Sequence, residues 1–123
     1  MSSSEVDWVF LIWAFPYTHR SSGIRALYRL CHHLNMRGFL AAVISEPGES
    51  LPDWNCFLYN GDVSGSIVVY PEVVSGNPLG ADRVVRWVLN TPGLIGGDAT
   101  YADSELVFLY GLQRLPDGNR AVT

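Results

Sequence analysis

Residues 6–14 form a nearly unbroken apolar run, with Trp8, Phe10, Leu11, Ile12 and Trp13 in close succession. This run constrains the fold more than any other feature of the chain. A strand with one solvated face alternates polar and apolar residues, whereas a strand apolar on both sides of the pleat has to be covered on both, as in a parallel sheet. Residues 24–37 then change period. Ile24, Leu27, Leu30, Cys31 and Leu34 share one helical face, and Arg25, Arg29, His32 and Met36 share another. Ser21 or Ser22 supplies a helix cap, and Gly38 is placed to stop the helix in the left-handed conformation. Residues 39–45 are apolar again. Strand, helix and strand in this order make a βαβ unit with a right-handed crossover.

The rest of the chain continues the alternation. Residues 46–66 are rich in Pro, Gly and Asn, with a short helical turn expected over 53–58. Residues 66–70 read as a third strand ended by Pro71. Asn77 and Pro78 read as the cap and first position of a second helix reaching about residue 90 and burying Val84, Val85, Val88 and Leu89. Residues 105–110 read as a fourth strand. These elements predict an α/β fold: a Rossmann-like three-layer domain with a mostly parallel sheet. The chain of 123 residues is a single domain's worth, expected over residues 6–123 after a frayed tail at 1–5.

Composition removes several function classes. A net charge of −4 argues against a nucleic-acid or anionic-membrane partner, because backbone recognition needs a basic face. All eight basic residues are Arg, so no lysine is present to form a Schiff base or clamp a phosphate. Cys31 and Cys56 are too few for a disulfide framework, which points to reduced thiols and a cytoplasmic location. The first apolar run is too short to span a bilayer and lacks a basic flank, so no transmembrane segment or ordinary signal peptide is expected. There is no H-E-x-x-H or C-x-x-C pattern, and the adjacent His32 and His33 diverge by about 100° on a helix, so no metal or other cofactor is expected.

Ligands of parallel α/β sheets bind at the carboxyl ends of the strands. Three loops qualify: residues 15–23, residues 70–80, and the chain from Gly111 onward. The first leads through Arg20, Ser22 and Gly23 into a helix whose opening turn carries Arg25. Open backbone N–H groups and the helix dipole attract an anion there, and a glycine lets the ligand come close. His19 in the same loop has the chemistry of a general base or of a hydroxyl partner. In the second loop, Glu72 is placed to bond hydroxyls, and Asn77 either caps a helix or touches ligand. Arg83 and Arg86 are expected on the following helix, available to pair with Glu72 or Asp82. Of the four tryptophans, Trp54 stands in the loop-rich stretch and is the one suited to a ligand platform. The fingerprints G-x-G-x-x-G and G-x-x-x-x-G-K-[ST] are absent, which disfavours a dinucleotide dehydrogenase and a P-loop NTPase. No G-x-S-x-G elbow is present either.

Ser22-Gly23 followed by residues 24–39, ending in Leu34-Asn35-Met36-Arg37-Gly38-Phe39, resembles the opening of the GT-B glycosyltransferases. Residues 70–80 with Val84-Val85-Arg86-Trp87 look like a segment of some bacterial and viral members. Together these stretches span about residues 7–110. The resemblance implies the N-terminal, acceptor-side domain of an enzyme that moves sugar from a nucleotide-sugar to an acceptor. In that setting Gly23 and the helix start lie near the donor diphosphate, Arg20 or Arg25 stabilises the leaving phosphate, and His19 and Glu72 orient hydroxyls. The family's paired glycines stand here as Ser22-Gly23, and the paired-glutamate motif of its donor domain has no counterpart. A chain of this length is not expected to hold that donor domain, which makes it a fragment, one half of a split enzyme whose partner is another chain, or a remnant that no longer catalyses transfer. Such a chain is expected to be inactive alone. The alternative is a non-catalytic α/β module that binds an anionic ligand or a partner protein. A flavodoxin-like receiver is disfavoured by Ala14-Phe15-Pro16, where an acidic pocket would stand.

Overall fold

The computed structural model describes residues 7–88, 106–109 and 121–122. The proposed tail at 1–5 and residues 111–120 of the expected loop from Gly111 onward lie outside them. Strands β1 (Phe10–Trp13), β2 (Ala41–Ile44), β3 (Ile67–Pro71), β4 (Arg83–Val88), β5 (Leu106–Leu109) and β6 (Ala121–Val122) form one sheet in the order β2-β1-β3-β4-β5-β6, with helix α1 (Ser22–Met36) between β1 and β2. Every pairing is parallel. The fold is the expected α/β, Rossmann-like one.

Both faces of β1 are buried, as its apolar run requires. Ile12 and Ala14 pack toward α1 with Leu27, Tyr28, Cys31 and Val43, whereas Leu11 joins Ala42, Val68, Tyr70 and Val74 on the opposite face. Helix α1 begins at Ser21, whose hydroxyl accepts the Ile24 N–H (3.2 Å), so of the two cap candidates Ser21 serves and Ser22 is the first helical residue. It ends at Gly38, φ +91°, with Phe39 N–H donating to Leu34 O and Gly38 N–H to Asn35 O. These two bonds satisfy carbonyls that the helix end would leave open.

Two expectations are overturned. The second helix, placed from Asn77 to about residue 90, is a turn followed by strand β4 over its described part. Val84, Val85 and Val88 fit a helical face, but the same residues with Trp87 are β-branched and aromatic. Alternate ones pack on opposite faces of the sheet: Val84 on one, Val85 and Trp87 on the other. Leu89 and Asn90 lie outside the described residues. The helical turn over 53–58 is also absent. Instead Val43 N–H donates to Phe57 O (2.8 Å) and Tyr59 N–H to Val43 O (2.9 Å), a parallel bridge centred on Leu58. Val43 turns these groups away from β1, so residues 57–59 flank β2 on its outer edge. Counting them as a rudimentary strand, the order along the chain becomes 3-2-1-4-5-6, that of doubly wound dinucleotide folds, with β6 beyond. Among the described residues α1 is the single helix. The second face of β1–β4 is covered by loops, with Val63 from one and Val73, Val74, Leu79 and Ala81 from the other.

Candidate functional site

The sheet switches direction between β1 and β3. The loop after β1 leads to α1 on one face, and the loop after β3, residues 72–82, folds over the other. A crevice at the carboxyl ends of such strands is where ligands of this architecture bind. The loop after β2, residues 45–52, completes the neighbourhood because β2 runs parallel beside β1.

The loops after β1 and β2 are tied together by Glu49. Its Oε1 faces His19 Nδ1 at 2.6 Å and accepts the His19 N–H at 3.2 Å, and its Oε2 accepts the Thr18 hydroxyl at 2.9 Å. The His19 N–H, then the Thr18 hydroxyl, hold the Glu49 carboxyl below its ordinary value. A carboxylate only accepts, so His19 Nδ1 supplies the hydrogen of this contact and Nε2 is the ring nitrogen turned away from Glu49. The His19 side chain is 70 % exposed. It is therefore an imidazole oriented through one nitrogen and presented to solvent through the other.

The backbone permits this only at Gly48. A Cβ there would stand 2.5 Å from Tyr17 O and 2.6 Å from Tyr17 N. Glu49 N–H also donates to Tyr17 O (2.8 Å). Behind the contact lies a cleft of about 160 Å³ walled by Tyr17, Tyr28, Glu46, Gly48, Leu51 and Leu58. The Tyr28 hydroxyl donates to Phe15 O (2.8 Å), and burial pushes its phenol up.

Helix α1 opens beside His19. Ser22 and Gly23 N–H meet no described acceptor, and the first turn carries no acidic residue. Arg25 reaches back to the His19 carbonyl, which braces the loop and leaves the guanidinium at the mouth of the helix. The Arg20 side chain is exposed, and its backbone N–H is held by Thr18 Oγ1 (3.3 Å).

The candidates of the loop after β3 are used differently. Asn77 Oδ1 accepts from the Tyr70 hydroxyl (2.7 Å) and Ala81 N–H (3.0 Å), and its Nδ2 donates to Ala81 O (2.8 Å). It closes the turn 77–81 rather than a helix, and its amide is spent there. Glu72 is 3 % exposed. Arg86, expected on a helix surface, lies on β4 and is fully buried, donating to Val74 O and Gly76 O at 2.7 Å each, with its guanidinium 5.1 Å over the Tyr70 ring. An inward position on an interior strand buries whatever occupies it, and the loop carbonyls satisfy the buried donors. Arg83 is exposed at the start of the same strand. Trp54 packs at 6.0 Å from Tyr17 with Arg29 at 5.7 Å, against the core cluster between α1 and the sheet.

The sequence reading therefore placed His19, Arg20, Ser22, Gly23 and Arg25 together, and the structure brings them to one loop and helix end. Glu72 and Asn77 belong to a separate loop on the opposite face. Glu49 was missed. The signal for it was the βαβ unit itself, since adjacent parallel strands set their following loops side by side, and Pro47-Gly48 marks a close backbone approach.

No family model, curated protein or solved structure matches the chain. Among the described residues, no three His, Cys, Asp or Glu side chains are placed to hold a metal ion, and no helix is long and apolar enough to cross a membrane.

Proposed function

We propose that this chain is the acceptor-side half of a glycosyltransferase-like enzyme, acting on a sugar acceptor with a nucleotide-sugar donor bound mainly by a separate domain. The observation that carries the reading is the His19–Glu49 pair at the carboxyl end of β1, beside the open amides of Ser22 and Gly23. Sugar transfer needs a base for the acceptor hydroxyl and a stabiliser for the leaving diphosphate. His19 Nε2 takes the hydroxyl proton, Glu49 stabilises the imidazolium that results, and the helix mouth with Arg20 and Arg25 stabilises phosphate charge. Glu72 is buried and the Asn77 amide is spent on its turn, so neither is offered to an acceptor hydroxyl. Both cysteines are free thiols, which accords with a cytoplasmic location.

The alternative, a non-catalytic module for an anionic ligand, shares the helix mouth and dispenses with the imidazole. NMR titration with pyrophosphate tests the shared part. The amides of Ser22 to Arg25 are expected to shift with Kd on the order of 1 mM, since two charge-assisted bonds barely exceed the cost of association. Arg25→Glu removes the response, while Arg37→Glu at the far end of α1 leaves it. Unmoved amides, or an equal response in Arg25→Glu, overturn both readings. The His19→Gln variant separates them: it keeps pyrophosphate binding, and on the transferase reading it loses transfer when a donor domain is supplied.

A further inference from the structure

Cys31 and Cys56 lie 25 positions apart in sequence, on α1 and on the segment beside β2, and the fold packs both into one core cluster. Cys31 is fully buried on the core face of α1, and Cys56 is half-buried against the same cluster. The Cys56 S–H has two acceptors in reach, Tyr28 O at 3.0 Å and the Cys31 sulfur. The contact is reciprocal along the backbone. The Cys31 sulfur receives the Phe57 N–H, and the Cys56 sulfur receives the His32 N–H. Asn35 closes the arrangement, with Nδ2 at 3.6 Å from Cys31 Sγ and 2.7 Å from Asn55 O. Asn55 N–H in turn donates to His32 Nδ1 (2.8 Å). Each cysteine is thus fixed by residues adjoining the other, on both sides of the gap.

We propose that Cys31 and Cys56 are a redox pair that closes to an intramolecular disulfide when the protein meets a small two-electron oxidant such as hydrogen peroxide. The thiolate attacks one peroxide oxygen, the O–O bond breaks, and the departing hydroxide takes a proton to become water. The second sulfur attacks the sulfenic sulfur so formed. The S–S bond closes, and the hydroxide lost from sulfur takes the remaining thiol proton as a second water. Two electrons pass from the two thiols to peroxide, and nothing further is consumed. Donation from Cys56, Phe57 and Asn35 holds the Cys31 thiol below its ordinary value against the opposing effect of burial, and the Cys56 thiol is pushed up in return. Cys56, half-buried where Cys31 is fully buried, is the sulfur that solvent reaches. In a reducing compartment the pair rests as thiols and closes only on oxidant exposure. The loop so closed contains β2 and residues 46–51, so the bond locks the outer wall of the cleft, Leu51 and Leu58 included, onto α1.

The test is mass spectrometry and thiol titration of the purified full chain before and after hydrogen peroxide. Closure removes both titratable thiols, lowers the monomer mass by about 2 Da and raises Tm by roughly 10 °C, all reversed by dithiothreitol. Cys56→Ala, which spares the core position, loses no hydrogen, and its Tm does not rise. The proposal is overturned if wild-type protein keeps both thiols, gains oxygen on both sulfurs, or forms only intermolecular dimers. It is overturned equally if Cys56→Ala shows the same rise in Tm.

Discussion

Glu49 does for the loop after β1 what a helix cap does for a helix: it gives acceptors to groups that would otherwise face water alone. Three donors converge on its two oxygens, and the backbone N–H of His19 is the largest cause of its lowered pKa, ahead of the Thr18 hydroxyl. Because the folded-state value is depressed, the tie between the loops is fully present above the ordinary Glu range and is lost as pH falls through the folded value. The site is open to solvent, so the contribution to global stability is small and the effect is local. A carbon-detected NMR titration should place the Glu49 carboxyl below the other exposed glutamates. Thr18→Val should raise it part of the way, since the backbone donor survives. A full return to the ordinary range in that variant would contradict the ordering of causes. The same acidification should release the His19 ring from its fixed orientation, visible as averaging of its ring resonances. A sequence shows a histidine in a loop; it does not show a carboxylate thirty positions later, and a pair made by tertiary contact leaves no local period to read.

At the scale of elements, two glycines separate the two ways a backbone can require one. Gly38 has φ +91° with open space where a Cβ would go, and Gly48 has ordinary φ with Tyr17 backbone where a Cβ would go. Gly38→Ala should cost roughly 1 kcal/mol in denaturant unfolding, the penalty of a left-handed residue, and leave the site unchanged. Gly48→Ala should cost roughly 1–3 kcal/mol and push the loop after β2 off the loop after β1, abolishing the His19–Glu49 contact. If Gly48→Ala leaves the His19 and Glu49 resonances in place, the close approach is not what seats Glu49. The stop at Gly38 was legible, because its residues sit at fixed offsets from the helix they terminate. So were the βαβ unit and the cores of β1, β2, β3 and β5, where runs apolar on both faces have few other folds. β4 was not, because Val84, Val85 and Val88 satisfy a helix and a doubly buried strand equally, and only the neighbours β3 and β5 decide between them. Residues 57–59 were not either, since one bridge leaves no periodicity at all.

The whole molecule brings the His19–Glu49 pair and the N-terminus of α1 to one rim and leaves that rim shallow. The cleft behind Glu49 holds about 160 Å³, against roughly 300–1,000 Å³ for a pocket that buries a drug-sized ligand, and a nucleotide-sugar is larger than many of those. Phosphate charge at Ser22 and Gly23 would be stabilised from one side only, with water on the other, where each charge-assisted bond is weakened by solvent. Transfer needs the reverse: a closed, water-poor space in which the acceptor oxygen, the anomeric carbon and the leaving diphosphate are held in line. On the transferase reading, a second domain closing over this rim would supply that space. The purified chain is therefore expected to form no transfer product across a panel of nucleotide-sugars and simple acceptors, while binding pyrophosphate weakly and losing that binding as salt rises. Product formation that disappears in His19→Ala would overturn the expectation. It would show that His19, Glu49 and the helix mouth form a complete active site on this chain, and that the acceptor itself closes the cleft.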